Sequence, residues 1–143
     1  MSSPLRYAGA GAVAALAWAA AEPLDRRLLR HDYSDVALLG KWLTRGPLWR
    51  PAGLAWHAAN GALFALGLRA LERRRGVEPG RLAVPAALAE HLALFPLGTV
   101  VDRTHPARGE PGVVAISSRR AFAQASLRHA LFGALLALLV GRR

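Results

Sequence analysis

The chain has 143 residues, 53% of them hydrophobic, no cysteine and a formal net charge of +10. That length suits one domain. The lack of cysteine excludes a disulfide framework, a thiolate metal site and a cysteine nucleophile. Positive charge alone would suit nucleic acid. Here, however, the arginines stand at the ends of apolar runs (Arg26, Arg27 and Arg30; Arg69 and Arg73 to Arg75; Arg119 and Arg120; Arg142 and Arg143) rather than along one face with aromatics between them. Flanking charges of membrane helices fall this way. Contact with the lipid bilayer and its anionic headgroups is therefore expected, and a nucleic-acid partner is not. Basic residues that are almost all arginine, beside abundant alanine, point to a GC-rich bacterial coding sequence.

The first apolar segment holds the 15 uncharged residues between Arg6 and Glu22. Arg6, the apolar stretch and Ala19-Ala20-Ala21 also fit a cleaved secretory signal. The internal repeat described below favours keeping the segment as a span. The stretch from Glu22 to Gly46 is too charged to cross a membrane. Ser34 is placed to cap a short helix starting at Asp35. That helix sets Val36, Leu39, Trp42 and Leu43 to one side and Asp35, Lys41 and Arg45 to the other, and Arg45-Gly46-Pro47 ends it. It reads either as an amphipathic helix on the membrane surface or as a solvated loop. Trp42, Trp49 and Trp56 suit anchors near the interface.

The second segment has 18 uncharged residues between Arg50 and Arg69, and Arg73 to Arg81 form a short basic connection. The third runs for 20 residues between Arg81 and Asp102, interrupted only by Glu90. Asp102 to Ser117, with Pro106, Gly109, Pro111 and Gly112, is a loop. The last segment, Ser118 to Val140, is apolar mainly in its second half, and Ser117 or Ser118 is its expected cap. The tail Arg142-Arg143 is expected to carry no soluble domain. About 20 helical residues cross a hydrocarbon core roughly 30 Å thick. Backbone in lipid must satisfy itself internally, so these runs are expected to be helices. Arginines divide almost evenly between the two sides, with a lean towards both termini in the cytoplasm.

A repeat with an offset of 72 residues organises the whole chain. His57-Ala58-Ala59-Asn60-Gly61-Ala62-Leu63 returns as His129-Ala130-Leu131-Phe132-Gly133-Ala134-Leu135, and Ala14 to Ala17 returns as Ala86 to Ala89. The expected architecture is all-α: four transmembrane helices made from a tandem repeat of a two-helix hairpin (1–71 and 72–143), with a short interfacial helix between the first two. Two spans return the chain to the same side, so the copies are parallel. Gly53, His57, Gly61 and Ala65 form a ridge at spacings of four, matched by Ala125, His129, Gly133 and Ala137. Small residues at this spacing let helix backbones approach closely, so Gly53, Gly61 and Gly133 are expected packing positions.

The residues with chemistry are few. Glu90 and His91 lie in the middle of the third segment, where a carboxylate is costly, on the order of 3 kcal/mol. Arg128, on one face of the last segment with Arg120 and Gln124, is the expected partner of Glu90. His57, His91 and His129 are expected near the same depth. Glu22, Asp25 and Asp102 read as interfacial residues pairing with Arg26, Arg27 or Arg103. No phosphate loop, zinc-protease helix or nucleophile elbow occurs, and no metal or cofactor is expected.

The His-x-x-x-Gly helices His57–Leu66 and His129–Leu138 resemble those of uncharacterised small bacterial multi-pass membrane-protein families. The resemblance implies a membrane bundle and supplies no activity. The expected role is non-enzymatic: a structural component of the bacterial inner membrane, or one handling a small solute or proton through the buried Glu/His/Arg cluster. A second copy or another membrane protein is the expected macromolecular partner. One alternative is a haem-binding electron carrier using the paired histidines. Another is a lipid-modifying enzyme with Glu90 or a histidine as base.

Overall fold

Each helix starts and stops where local chemistry directs it. A computed structural model describes residues 3–141, and among these there are five helices and no strand. α1 (Pro4–Leu29) opens with Ser3 accepting from the Arg6 N–H at 3.2 Å and with proline in its first turn, where a missing N–H costs nothing. It ends at Arg30, which takes the left-handed conformation (φ 49°), and His31 N–H closes back on the Arg26 carbonyl at 3.2 Å. α2 (Asp35–Leu43) is capped by Ser34, whose hydroxyl accepts from Ala37 N–H at 3.1 Å. α3 spans Trp49–Arg75 and stops at Gly76. α4 spans Ala83–Thr104; Pro96, which supplies no N–H, tightens it into a 3-10 turn over Phe95–Leu97. α5 (Arg119–Gly141) begins after Ser118, whose hydroxyl accepts from Ala121 N–H at 3.1 Å.

The chain runs up and down. At one end, Tyr7 of α1 donates to Glu72 of α3 at 2.7 Å, Glu72 accepts from Leu82 N–H ahead of α4 at 3.2 Å, and Arg6 donates to the Leu139 carbonyl of α5 at 3.2 Å. At the other end the two connectors meet. Ser34 N–H donates to Gly112 O at 3.0 Å, Lys41 reaches Pro111 O at 2.9 Å and Glu110 at 3.1 Å, and Arg45 pairs with Glu110. The start of α1 and the end of α5 therefore lie at the same end of the bundle. α1 packs along α3 and α5, α5 along α4, and α2 along α3, while α3 and α4 form no extended contact.

The glycine ridges mark the tight crossings. A Cβ on Gly61 would lie 2.4 Å from the Gly11 carbonyl oxygen, and one on Gly133 would lie 3.0 Å from the Ala83 carbonyl oxygen. Gly53 has the same role against α2, where a Cβ would lie 2.1 Å from Val36 O. All three expected packing positions are thus occupied by close backbones.

Three expectations change. By length and apolarity two helices qualify as membrane spans, α4 and α5, not four. α1 and α3 are long enough at 26 and 27 residues. Glycine, polar and basic side chains dilute their apolar runs. α3 continues helical to Arg75, into the region expected to be a connection, because arginine is a good helix former. In α2 the buried side is Val36, Ala37, Gly40 and Lys41, while Trp42 and Leu43 face outwards. Lys41 is drawn in by Glu110 and Pro111 of the second connector.

Candidate functional site

Arg128 is 2% exposed and projects from α5 into the middle of the polar interior. Its Nε donates to Asp25 Oδ2 at 2.5 Å, and its Nη2 to Asp25 Oδ1 at 2.7 Å and the Tyr33 carbonyl at 2.9 Å. Its Nη1 donates to Asp35 Oδ2 at 2.7 Å and stands 3.7 Å from Glu22 Oε1. Its guanidinium also lies over the Tyr33 ring, 4.8 Å from the centroid. A guanidinium offers a planar fork of donors, and here a bidentate carboxylate, a second carboxylate and a carbonyl take them up.

The acidic partners are held in turn. Glu22 accepts from the Ser34 hydroxyl at 2.5 Å and from Asp35 N–H at 2.8 Å. Asp25 also accepts from Gln124 Nε2 at 2.7 Å. Tyr33 donates its hydroxyl to Asp35. Burial pushes the Asp35 carboxyl up more than any single neighbour pulls it down, but the charges of Arg128 and His57 and the hydrogen bonds from Tyr33 and Arg128 together outweigh it. The net effect holds Asp35 below the ordinary carboxylate range. The Tyr33 hydroxyl is pushed well above its ordinary value by burial and by the neighbouring Asp35.

The expected Glu90–Arg128 pair is therefore wrong. Arg128 is satisfied by α1 and the turn before α2, whereas the Glu90 carboxylate has no hydrogen-bond or ion-pair partner among the described residues. Glu22 and Asp25 are not interfacial partners of Arg26 and Arg27; they are buried around Arg128, and Arg26 pairs with Asp32 instead. Asp102 does not pair with Arg103. It accepts from Ile116 N–H at 2.7 Å and Ser117 N–H at 3.0 Å, which fixes the loop ahead of α5.

Beside this lock lies a cleft of about 430 Å³. α1 and α5 form its floor through Trp18, His129 and Phe132, and α3 and α4 form its walls through His57, Phe64, Glu90 and Leu94. Asp35 closes one end, so the lock and the cleft share a carboxylate. The cleft opens where α3 and α4 do not pack together. His57 Nε2 and Trp18 Nε1 are buried without a hydrogen-bond partner. His129 Nδ1 lies 2.8 Å from the Ala125 carbonyl and so carries a proton there. His91 stands behind it, ring centroids 4.9 Å apart, and its Nε2 is 3.0 Å from the Ser126 hydroxyl.

His57, His91, His129 and Glu90 thus gather in one region, with Arg128 on its far side. Asp25, Asp35, Glu22 and Gln124 complete it, and sequence reasoning did not place them there. The signal available was charge arithmetic: three acids near the end of the first segment face a single arginine inside the last. Trp18 packs edge-on against both His57 (centroids 5.5 Å) and His129 (5.3 Å), filling the space between the imidazoles. A flat macrocycle ligated by both does not fit this arrangement. Among the described residues no group of three metal-ligating side chains is assembled. In comparison with known proteins, no family model, no curated protein and no solved structure matches the chain.

Proposed function

We propose that the chain is a multi-pass integral protein of the bacterial inner membrane, non-enzymatic, that handles a small solute in the cleft between two hairpins. α1, α3, α4 and α5 would each cross the bilayer. The observation that carries the reading is the inverted distribution of polarity. Arg128, Gln124, Glu22 and Asp25 are buried, while Val13, Leu63, Leu97, Leu131 and Leu138 are exposed. A soluble bundle requires the reverse. Only 17% and 33% of the two most apolar spans are buried inside the fold, whereas a core helix of a soluble protein is mostly covered. An ionisable cluster facing inwards is what a bilayer tolerates.

The tandem-hairpin reading draws support from contact register. Gly61 meets Gly11 and Gly133 meets Ala83, and both residues of the second pair sit 72 positions beyond those of the first. This matched spacing supports a duplicated crossing, although Val84 Cα lies nearer to the Gly133 Cβ position than Ala83 O does. The up-and-down order, with the described chain ends at one end of the bundle, is compatible with both termini on the cytoplasmic side.

Cysteine scanning tests the proposal cleanly, because the chain has no cysteine of its own. Leu63→Cys and Leu94→Cys, both on the cleft, are expected to react in membranes with a lipid-soluble maleimide and to resist a charged one. Glu110→Cys, on the connector, is expected to react with the charged reagent. Equal labelling of all three by the charged reagent in a membrane-free extract would overturn the reading.

A further inference from the structure

The polar groups around the cleft do not balance. Asp35 and Glu90 line it, Glu22 and Asp25 stand with Asp35 around Arg128, and that one guanidinium faces three of the four carboxyl groups. Counted as ionised, four carboxylates less one guanidinium leaves three negative charges, and protonating both His57 and His129 would still leave one. Donors are also unequally shared. Glu22, Asp25 and Asp35 each accept two or more hydrogen bonds. Glu90 accepts none among the described residues, yet it projects into the cleft.

The rest of the lining states what can lie against that carboxylate. Trp18 and Phe132 of the floor and Phe64 of the wall form a contiguous aromatic surface, with centroids 6.3 Å apart for Trp18 and Phe132 and 5.3 Å for Phe64 and Phe132. Leu38, Leu39, Leu63 and Leu94 make the walls. A small inorganic cation needs several oxygens to replace its water, and the cleft presents mainly carbon. An organic cation needs one counter-charge and aromatic faces. The Nε2 of His57, on a side chain nine-tenths buried, has no hydrogen-bond partner in the same wall.

We infer that the cleft binds a lipophilic organic cation, an amine or ammonium group on an apolar body, with Glu90 as counter-ion and Trp18, Phe64 and Phe132 as the cation-accepting rings. This rests on the cleft reading above and adds the sign and class of the solute. The chain's overall charge of +10 favours anions in general. Selection of a cation must therefore come from the cleft itself.

The test uses two probes of nearly the same shape and opposite charge, tetraphenylphosphonium and tetraphenylborate. Calorimetry of the full chain in a non-ionic detergent measures their binding. Wild type is expected to bind the phosphonium saturably, one per chain, and tighter than the borate. Glu90→Gln is expected to weaken the phosphonium about tenfold, equivalent to ~1.4 kcal/mol, and Glu90→Asp much less. Because Glu90 makes no hydrogen bond or ion pair among the described residues, Glu90→Gln should keep the wild-type elution profile. Preference for the borate, or unchanged phosphonium binding in Glu90→Gln, overturns the inference. Leu63→Trp, which fills the cleft, separates the two readings. If that variant blocks a probe that binds without regard to charge, the cleft stands and the cation falls. If neither probe binds saturably and Leu63→Trp changes nothing, both fall.

Discussion

Arg128 shows how one buried charge can organise distant segments. It joins α5 to residues 93 and 103 positions earlier in the chain, fixing the end of α1 and the start of α2 against the last helix. Removing one member of such a network leaves the others buried and uncompensated, a loss of about 3–5 kcal/mol. Arg128→Gln should therefore lower folded yield and the thermal midpoint in detergent sharply. Arg128→Lys, a point charge without the fork, should recover only part of it. Thermal melts by circular dichroism check both; a melt for Arg128→Gln equal to wild type would show that the network is not holding the fold. That Arg128 would be buried and paired was legible, since a lone arginine within an apolar helix needs a counter-charge. The identity of the partner was not. Glu90 looked suitable because α4 and α5 form a hairpin, and sequence spacing carries no information on how the end of α1 folds under α5. The turn at Arg30, where a non-glycine residue takes a left-handed conformation, brings Tyr33 and Asp35 round to the guanidinium.

At the scale of helices, the close crossings should dominate the response to substitution. Gly61 is pressed against Gly11, so Gly61→Ala forces α1 and α3 apart and should cost about 1–3 kcal/mol, the range of overpacked sites. Gly67 lies on the same helix with open space around its Cβ position. Gly67→Ala should stabilise by roughly 0.5–1 kcal/mol, since alanine is the better helix former. Opposite signs on one helix, read from chemical denaturation of the detergent-solubilised protein, distinguish packing from propensity; the same sign for both would refute the crossing. The packing face was legible beforehand, because the ridges at spacings of four around His57 and His129 mark it; its partner Gly11 was not. The 3-10 turn in α4 and the inward turn of Lys41 were not. The first depends on how Pro96 is accommodated by its neighbours, and the second on an acceptor, Pro111 O, supplied by a loop 70 residues away.

The whole molecule is closed at the connector end by ionisable groups, and pH should therefore bound its stability from both sides. On the acid side, Asp35 is held below its ordinary range by Arg128, and Glu110 is held down by the hydrogen bond from Lys41 and then by Arg45. A carboxylate whose folded value is depressed contributes stability that is complete above its unfolded value, ~4, and is lost as pH falls through the folded one. Tyr33 works in the other direction. Its hydroxyl is raised, chiefly by burial, so the folded state keeps its proton while the unfolded chain releases it from about pH 10 upwards. The Asp35 and Glu110 contributions are thus complete above about pH 5 and the Tyr33 contribution below about pH 9, giving an acid arm and an alkaline arm outside those limits. Tyr33→Phe separates them: it removes a group that resists ionisation and should make the alkaline fall shallower without moving the acid arm. Glu110→Gln should make the acid arm shallower, because the clasp between Lys41, Arg45 and the second connector no longer depends on a titrating group. The check is a series of thermal midpoints in detergent from pH 3 to 11. Parallel curves for Tyr33→Phe and wild type above pH 10 would place the alkaline transition elsewhere in the molecule. It would then not lie where the connectors close over Arg128.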